Sequence, residues 1–298
     1  MMQDDLGGAP LHAESANNLA QVRERIDELT RRAADEGVRE GAPVEARMAL
    51  ARYLLENELA AEALGALRIV AINQGELVEI DPEYRLLRGA ANVMMGRVSA
   101  AQADLTASAL MNNPSAALWR GYAASLQQNW ADARRELERG AGGLEEHPPA
   151  WRARFQVALA ESAMQLNDYA AAEAAARAAM AEAPDQALRL QARLIEARVI
   201  AARGDSARAL TMLDELSRTN DEETAVRAQV EAIRLRRATG AMRAIDVVEP
   251  LEAIFIHEGI AHDLGQVHLV SAHLRVLIDH VLEAVELHRF LGPFHLRV

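Results

Sequence analysis

Cysteine is absent from the 298 residues, which excludes disulfides and thiolate metal sites. Lysine is absent as well, so all 32 basic residues are arginine, a planar fork rather than a point charge. Abundant alanine beside that absence fits the codon usage of a GC-rich genome. Aromatic residues make up only 4% of the chain, although half of it is apolar; alanine supplies much of that half. No apolar run reaches membrane-spanning length, so membrane insertion is not expected. The opening Met1-Met2-Gln3-Asp4-Asp5 is acidic and lacks the apolar core of a signal peptide. As given, the chain is expected to be soluble and cytoplasmic. Basic excess is lacking too: the net charge is −12 and the pI about 5.3, which repels phosphate backbones and argues against nucleic-acid binding.

What is present is helix-forming and repetitive. No stretch alternates with period two, few prolines interrupt the apolar stretches, and alanine is the strongest helix former. Five correspondences share one offset of 32 residues: Arg88/Arg120, Gly89/Gly121, Ala91/Ala123, Ala101/Ala133 and Leu105/Leu137. A fixed period in this range signals stacked supersecondary units, none of which can bury its apolar faces alone.

Capping and turn residues divide the chain. A polar end and an amphipathic helix occupy 1–43. In that helix, expected over 15–35, Leu19, Val22, Ile26, Leu29 and Ala33 form one apolar stripe. The stripe is expected to pack on the repeat stack; two heptads are short for a coiled-coil seam. Helix pairs then fill 44–248, with Leu50, Ala51, Leu54, Ala63 and Leu67 facing inward in the first pair. Asp81-Pro82, Asn113-Pro114, Pro148-Pro149, Pro184-Asp185 and Asn220-Asp221 open the later pairs. Gly96, Asn167-Asp168, Gly204-Asp205 and Thr239-Gly240 mark turns within them.

These units resemble tetratricopeptide repeats. The fourth unit carries the resemblance best: Asn167-Asp168-Tyr169 stands at the turn, Ala172 and Ala179 at the close-packing alanines, and Pro184 at the end. Gly89 and Gly121 match the small first-helix position. Ala101 and Ala133 match the second-helix alanine, a role Ala63 and Ala209 take in their own units. Arg88 and Arg120 depart from the family, which has leucine there; Leu86, Leu87, Leu118 and Trp119 are expected to take over that packing. The resemblance implies an all-α, right-handed solenoid of stacked antiparallel helix pairs. It also implies a concave surface formed by the first helices, lined by Arg52, Leu86, Ala90, Leu118, Tyr122, Val157, Glu161 and Arg198. Such a mixed, largely apolar lining suits a peptide or helix with a few polar anchors. Clamping a C-terminal carboxylate, as some members do with lysine and asparagine, is excluded by the missing lysines.

The segment 249–298 differs. Seven of the nine histidines lie between His257 and His295. His257-Glu258-Gly259-Ile260-Ala261-His262 is one residue longer than the zinc-protease pattern, so on a helix its imidazoles diverge. Pro250 interrupts the expected second helix of the sixth pair. Val267, Val270, Leu274, Leu277, Val281 and Val285 permit a capping amphipathic helix; a frame-altered end is the other reading. No nucleophile elbow, phosphate loop or dinucleotide fingerprint occurs. The expectation is a non-enzymatic protein-binding scaffold with no cofactor and no metal. The alternative is a repeat region of a larger bacterial protein, such as an enzyme, a pilus or flagellar component or an envelope protein, whose active part lies elsewhere.

Overall fold

The computed structural model describes residues 11–38 and 44–242. Among the described residues the protein is all-α, with twelve α-helices, three short 3₁₀ turns and no strand. The helices are α1 (Leu11–Gly37), α2 (Glu45–Glu56), α3 (Ala60–Gln74), α4 (Pro82–Met94), α5 (Val98–Leu105), α6 (Pro114–Leu126), α7 (Trp130–Arg139), α8 (Pro149–Gln165), α9 (Tyr169–Glu182), α10 (Gln186–Ala202), α11 (Ser206–Leu216) and α12 (Glu222–Ala238). The chain divides into two compact units, residues 1–151 and 152–298. In the first unit each helix packs on the next in sequence, and the even-numbered helices α2, α4 and α6 also touch one another. In the second unit α9 to α12 pack consecutively, and α10 touches α12. Consecutive packing of helix pairs is the architecture of a helical repeat. The histidine-rich segment 249–298, with its possible capping helix, lies outside the described residues.

One local motif repeats. A residue in the left-handed region ends each even-numbered helix: Glu58 (φ 65°), Gly96 (70°), Gln128 (59°), Asn167 (61°), Gly204 (95°) and Gly240 (73°). After the first five, the next backbone N–H donates to the carbonyl five residues back, as in Leu59 to Leu54 (2.9 Å), Asn129 to Ala124 (2.9 Å) and Asp205 to Ile200 (3.2 Å). This closes the helix end by reversing the chain, so the next helix starts at once, antiparallel to the last. Aspartate then caps α9 and α11, where Asp168 accepts from the Ala171 N–H at 3.1 Å and Asp205 from the Arg208 N–H at 3.2 Å. Four even-numbered helices, α4, α6, α10 and α12, are capped as the sequence predicts, by Asp81, Asn113, Asp185 and Asp221, whereas Val44 before α2 offers no side-chain cap.

Counting from the turn residue, packing follows a constant register. Five residues after it stand Ala63, Ala101, Ala133, Ala172 and Ala209, all fully buried. Seven before it stand Ala51, Gly89, Gly121, Ala160 and Ala197; nine after it stand Leu67, Leu105, Leu137, Ala176 and Leu213, again all buried. The two helices meet where these last two rows face. A Cβ placed on Gly121 would lie 2.7 Å from Leu137 Cγ and 2.8 Å from the Leu137 backbone nitrogen. On Gly89 it would lie 2.7 Å from Leu105 Cγ and Cδ2. The sixth turn departs. Ile233 stands seven residues before Gly240, and the backward bond runs from Met242 to Arg236 instead.

The drift of the period away from 32 has a plain cause. The first helices of the first unit, α2, α4 and α6, have 12, 13 and 13 residues, whereas α8, α10 and α12 each have 17. The surplus is one turn at the start of the helix, ahead of the constant register. The first unit instead inserts 3₁₀ turns after its second helices, at Gly75–Ile80, Ser108–Leu110 and Ala141–Glu146.

Arg88 and Arg120 explain their departure from leucine. Arg88 grips the buried Asp104 of its own second helix (Nε–Oδ2 2.8 Å, Nη2–Oδ1 2.7 Å) and Glu79 of the preceding 3₁₀ turn (2.8 and 2.9 Å). Its guanidinium also lies 4.8 Å above the Tyr84 ring. The Asp104 carboxylate, with Glu79, outweighs burial and pushes Arg88 upward from its ordinary value. Arg120 repeats the arrangement. It binds Glu136 at 2.7 Å and donates to the Leu105 carbonyl at 2.9 Å and the Leu110 carbonyl at 3.3 Å. Each arginine ties its own hairpin to the connector before it. Hairpins one and four carry Leu50/Ala66 and Leu159/Ala175 at the same two positions.

Gln128→Gly relieves a left-handed backbone and should raise the unfolding free energy by about 1 kcal/mol, whereas Gly121→Ala should lower it by roughly 1–3 kcal/mol, both read by urea titration. Asp104→Ala leaves the half-buried guanidinium with Glu79 as its one carboxylate and should cost roughly 1–3 kcal/mol; Arg88→Leu added to it recreates the Leu/Ala pair and should restore part of that loss, the Glu79 carboxylate turning to solvent.

Candidate functional site: the faces of the first helices

The eight residues expected to line a binding surface fall on two levels of the even-numbered helices. Leu86, Leu118 and Val157 stand ten residues before their turn residue; Arg52, Ala90, Tyr122, Glu161 and Arg198 stand six before it. The upper level serves mainly as packing. Leu118 is buried at 1% exposure, while Leu86 and Val157 are half-buried. At the lower level Ala90 is buried at 3%, so its side chain, like that of Leu118, packs between helices and presents no surface. Arg52 is exposed, and Tyr122, Glu161 and Arg198 are half-buried.

In the first unit Arg52 of α2 forms an ion pair with Glu83 of α4, so neighbouring first helices are bridged across their open face. Both side chains are about half exposed, which makes this a weak, exchangeable bond. Tyr122 belongs to an aromatic cluster. Its ring meets Trp151 edge-on at 5.7 Å and Trp119 at 6.3 Å, and the two indoles lie 4.5 Å apart. His147 closes the cluster with its ring 6.2 Å from Trp119, and burial pushes its imidazole below its ordinary value. The face of this unit is therefore aliphatic at Leu86 and aromatic at Tyr122, with one removable salt bridge.

The second unit differs in chemistry. Glu161 of α8 accepts from Arg198 of α10 at 2.6 Å and from the Gln165 amide at 2.8 Å. Arg198 Nε also lies 3.7 Å from Glu231 of α12, which pairs with Arg234 at 3.2 Å. Burial pushes the Glu161 carboxyl up, but Arg198, the Gln165 hydrogen bond and Arg227 more than offset it and hold the group below the ordinary carboxylate value. Arg198 is opposed by burial and raised by Glu161 and Glu231. Glu161 and Arg198, chosen separately as lining residues, are thus partners in a charge ladder across three helices. Glu83 and Glu231 complete these bridges, and Arg227, paired with Glu223, reaches Glu161 only through its charge; none of them was anticipated. Aligning the six turn residues would have placed them on the same faces. Among the described residues no cluster of three or more His, Asp or Glu is disposed to hold a metal, and no helix is long and apolar enough to cross a membrane. The motif at His257–His262 lies outside them.

Comparison with protein-family models, with curated proteins and with solved structures finds no match.

The lowered Glu161 carboxyl sets a pH dependence. Its stabilising contribution is complete above the ordinary unfolded value near 4.3 and is lost as pH falls through the lower folded value. Glu161→Gln should cost roughly 3 kcal/mol at pH 7 and flatten the acid limb of stability against pH, measured by denaturant titration from pH 7 to pH 3.

Proposed function

We propose that this chain is a non-enzymatic scaffold of the tetratricopeptide-repeat type. On this reading the helix pairs wind with the family's right-handed twist, and the first-helix faces bind a protein partner as a peptide or a short helix. The observation that carries the reading is the constant register of five hairpins. A left-handed turn, a buried alanine after it and a small residue before it recur in the same places, so every first helix is presented with the same orientation relative to its partner helix. A scaffold of this kind holds side chains on rigid elements, which favours recognition over chemistry that needs a closing site.

Within the first unit, Arg52, Leu86 and Tyr122 would supply a polar anchor, an aliphatic contact and an aromatic edge. Within the second, Val157 would supply the apolar contact beside the Glu161–Arg198 pair. Arg52 and Leu86 carry the least packing and test the reading with the least damage to the fold. In affinity capture from the source cells, Leu86→Asp and Arg52→Glu should each reduce the recovered partner by about tenfold relative to the unaltered protein. Arg177→Glu, on the exposed side of α9, should leave recovery unchanged. Equal recovery with all three variants, each retaining its melting temperature, would refute binding on the first-helix faces.

A further inference from the structure

The first two 3₁₀ connectors end alike, with one side chain exchanged. At the shared offset of 32 residues, Leu110 corresponds to Val78, Met111 to Glu79 and Asn113 to Asp81. Val78 and Leu110 are both buried. The Asp81 N–H donates to the Val78 carbonyl at 3.0 Å, and the Asn113 N–H to the Leu110 carbonyl at 3.1 Å. The backbone angles at the two caps agree: φ −67° and ψ 121° at Asp81, φ −77° and ψ 122° at Asn113. Met111 therefore stands to Arg120 as Glu79 stands to Arg88.

That exchange leaves one donor unmatched. Glu79 turns both carboxylate oxygens to Arg88, at 2.9 and 2.8 Å. Arg120 donates through Nε to Glu136 and through Nη1 to the Leu105 and Leu110 carbonyls, while its Nη2 is buried without a partner. Glu136 offers it a single oxygen; the other lies 3.8 Å from Arg135 and 3.9 Å from Arg139. The Met111 thioether is a weak acceptor, but the residue is 43% exposed, so an oxidant can reach its sulfur.

We propose that Met111 is an oxidation site whose sulfoxide completes the grip on Arg120. Hydrogen peroxide transfers one oxygen atom to the sulfur: the thioether is oxidised to the sulfoxide, the O–O bond breaks, and the peroxide is reduced to water. Methionine carries its sulfur where glutamate carries its carboxyl carbon. The new oxygen thus takes the position of a Glu79 carboxylate oxygen and accepts from Nη2. Sulfoxide formation ordinarily disrupts packing by making an apolar side chain polar. Here the oxygen meets a charged donor that is already desolvated, so the connector tightens. The third hairpin is therefore held more firmly in oxidising surroundings. This site is separate from the first-helix faces and stands or falls independently of partner binding.

Urea titration of the full chain carrying Met111→Gln or Met111→Leu tests the proposal, because glutamine presents an oxygen at the sulfoxide position. Met111→Gln should increase the folding constant about tenfold over Met111→Leu, as a hydrogen bond to a charged donor gives, and Arg120→Leu in both should abolish that difference. In the unaltered protein treated with hydrogen peroxide, peptide mass spectrometry should find Met111 as the sulfoxide. Its urea midpoint should then fall less than that of Met111→Leu oxidised alongside, a comparison that needs no change at Arg120. A Met111 left unmodified by peroxide, an equal loss of midpoint in the two oxidised proteins, or no gain from Met111→Gln overturns the proposal. So does a gain that persists without Arg120.

Discussion

The distance between the two helices of each hairpin governs the rest of this molecule. Gly121 lies so close to the Leu137 backbone that a single methyl would clash with it. Seven residues before the turn the approach demands glycine at 89 and 121 and leaves room for no more than the methyl of Ala51, Ala160 and Ala197 in the other hairpins, and the turn itself must place the second helix at that distance. The left-handed residue does so by ending the first helix with a backbone bond that leaves no slack before the next cap. Much of the composition follows. Alanine fills the buried rows because small side chains permit the approach, and three aromatics, Trp119, Tyr122 and Trp151, gather at one junction.

Given that constraint, charge enters the interior in an ordered way. Arg88 with Asp104 and Arg120 with Glu136 occupy a level that is apolar in the first and fourth hairpins. The exchange coincides with two of the three 3₁₀ connectors; the third, Ala141–Glu146, precedes a hairpin that keeps Leu159 and Ala175 at this level. Arg88 turns its remaining donors to the Glu79 carboxylate, and Arg120 donates through Nη1 to the Leu105 and Leu110 carbonyls while its Nη2 is buried without a partner. Leucine could fill the space but could not satisfy those acceptors. In the second unit the connections from α9 to α10 and from α11 to α12 contain no 3₁₀ turn, and no arginine stands at that level. The buried pairs therefore read as connector staples.

The fold was legible because its controlling residues are chemically distinctive. Glycine at 96 and 204, and the capping Asp81, Asn113, Asp185 and Asp221, mark boundaries that the structure places where the sequence predicts them. The five second-helix alanines were likewise identifiable from the turns. The 3₁₀ connectors were not legible as such: Ser108–Leu110 is as helix-prone as the helix it follows, and Gly140, Gly142 and Gly143 mark a break without specifying a 3₁₀ turn. Two left-handed positions, Glu58 and Gln128, carry residues with no preference for that conformation, so only the backbone reveals them. The site was half legible. The family resemblance placed Ala90 and Leu118 on the exposed face of the first helices, but both are buried. Glu161 and Arg198 lie in different repeats, and their contact needs the stacking that brings one first helix beside the next.

That stacking makes the two units unequal as binding surfaces under the proposed reading. A ligand carboxylate approaching Arg198 must displace Glu161, whose charge is already compensated in a poorly solvated setting; the exchange leaves Glu161 without its guanidinium and returns little net energy. On the first unit the Arg52–Glu83 bridge is solvated at both ends, so either group can be redirected to a partner at small cost, and Leu86, one turn along α4 from Glu83, and Tyr122 on α6 are only half-buried. Binding energy is therefore more accessible on α2, α4 and α6. The ladder across α8, α10 and α12 is better suited to fixing the register of its own repeats.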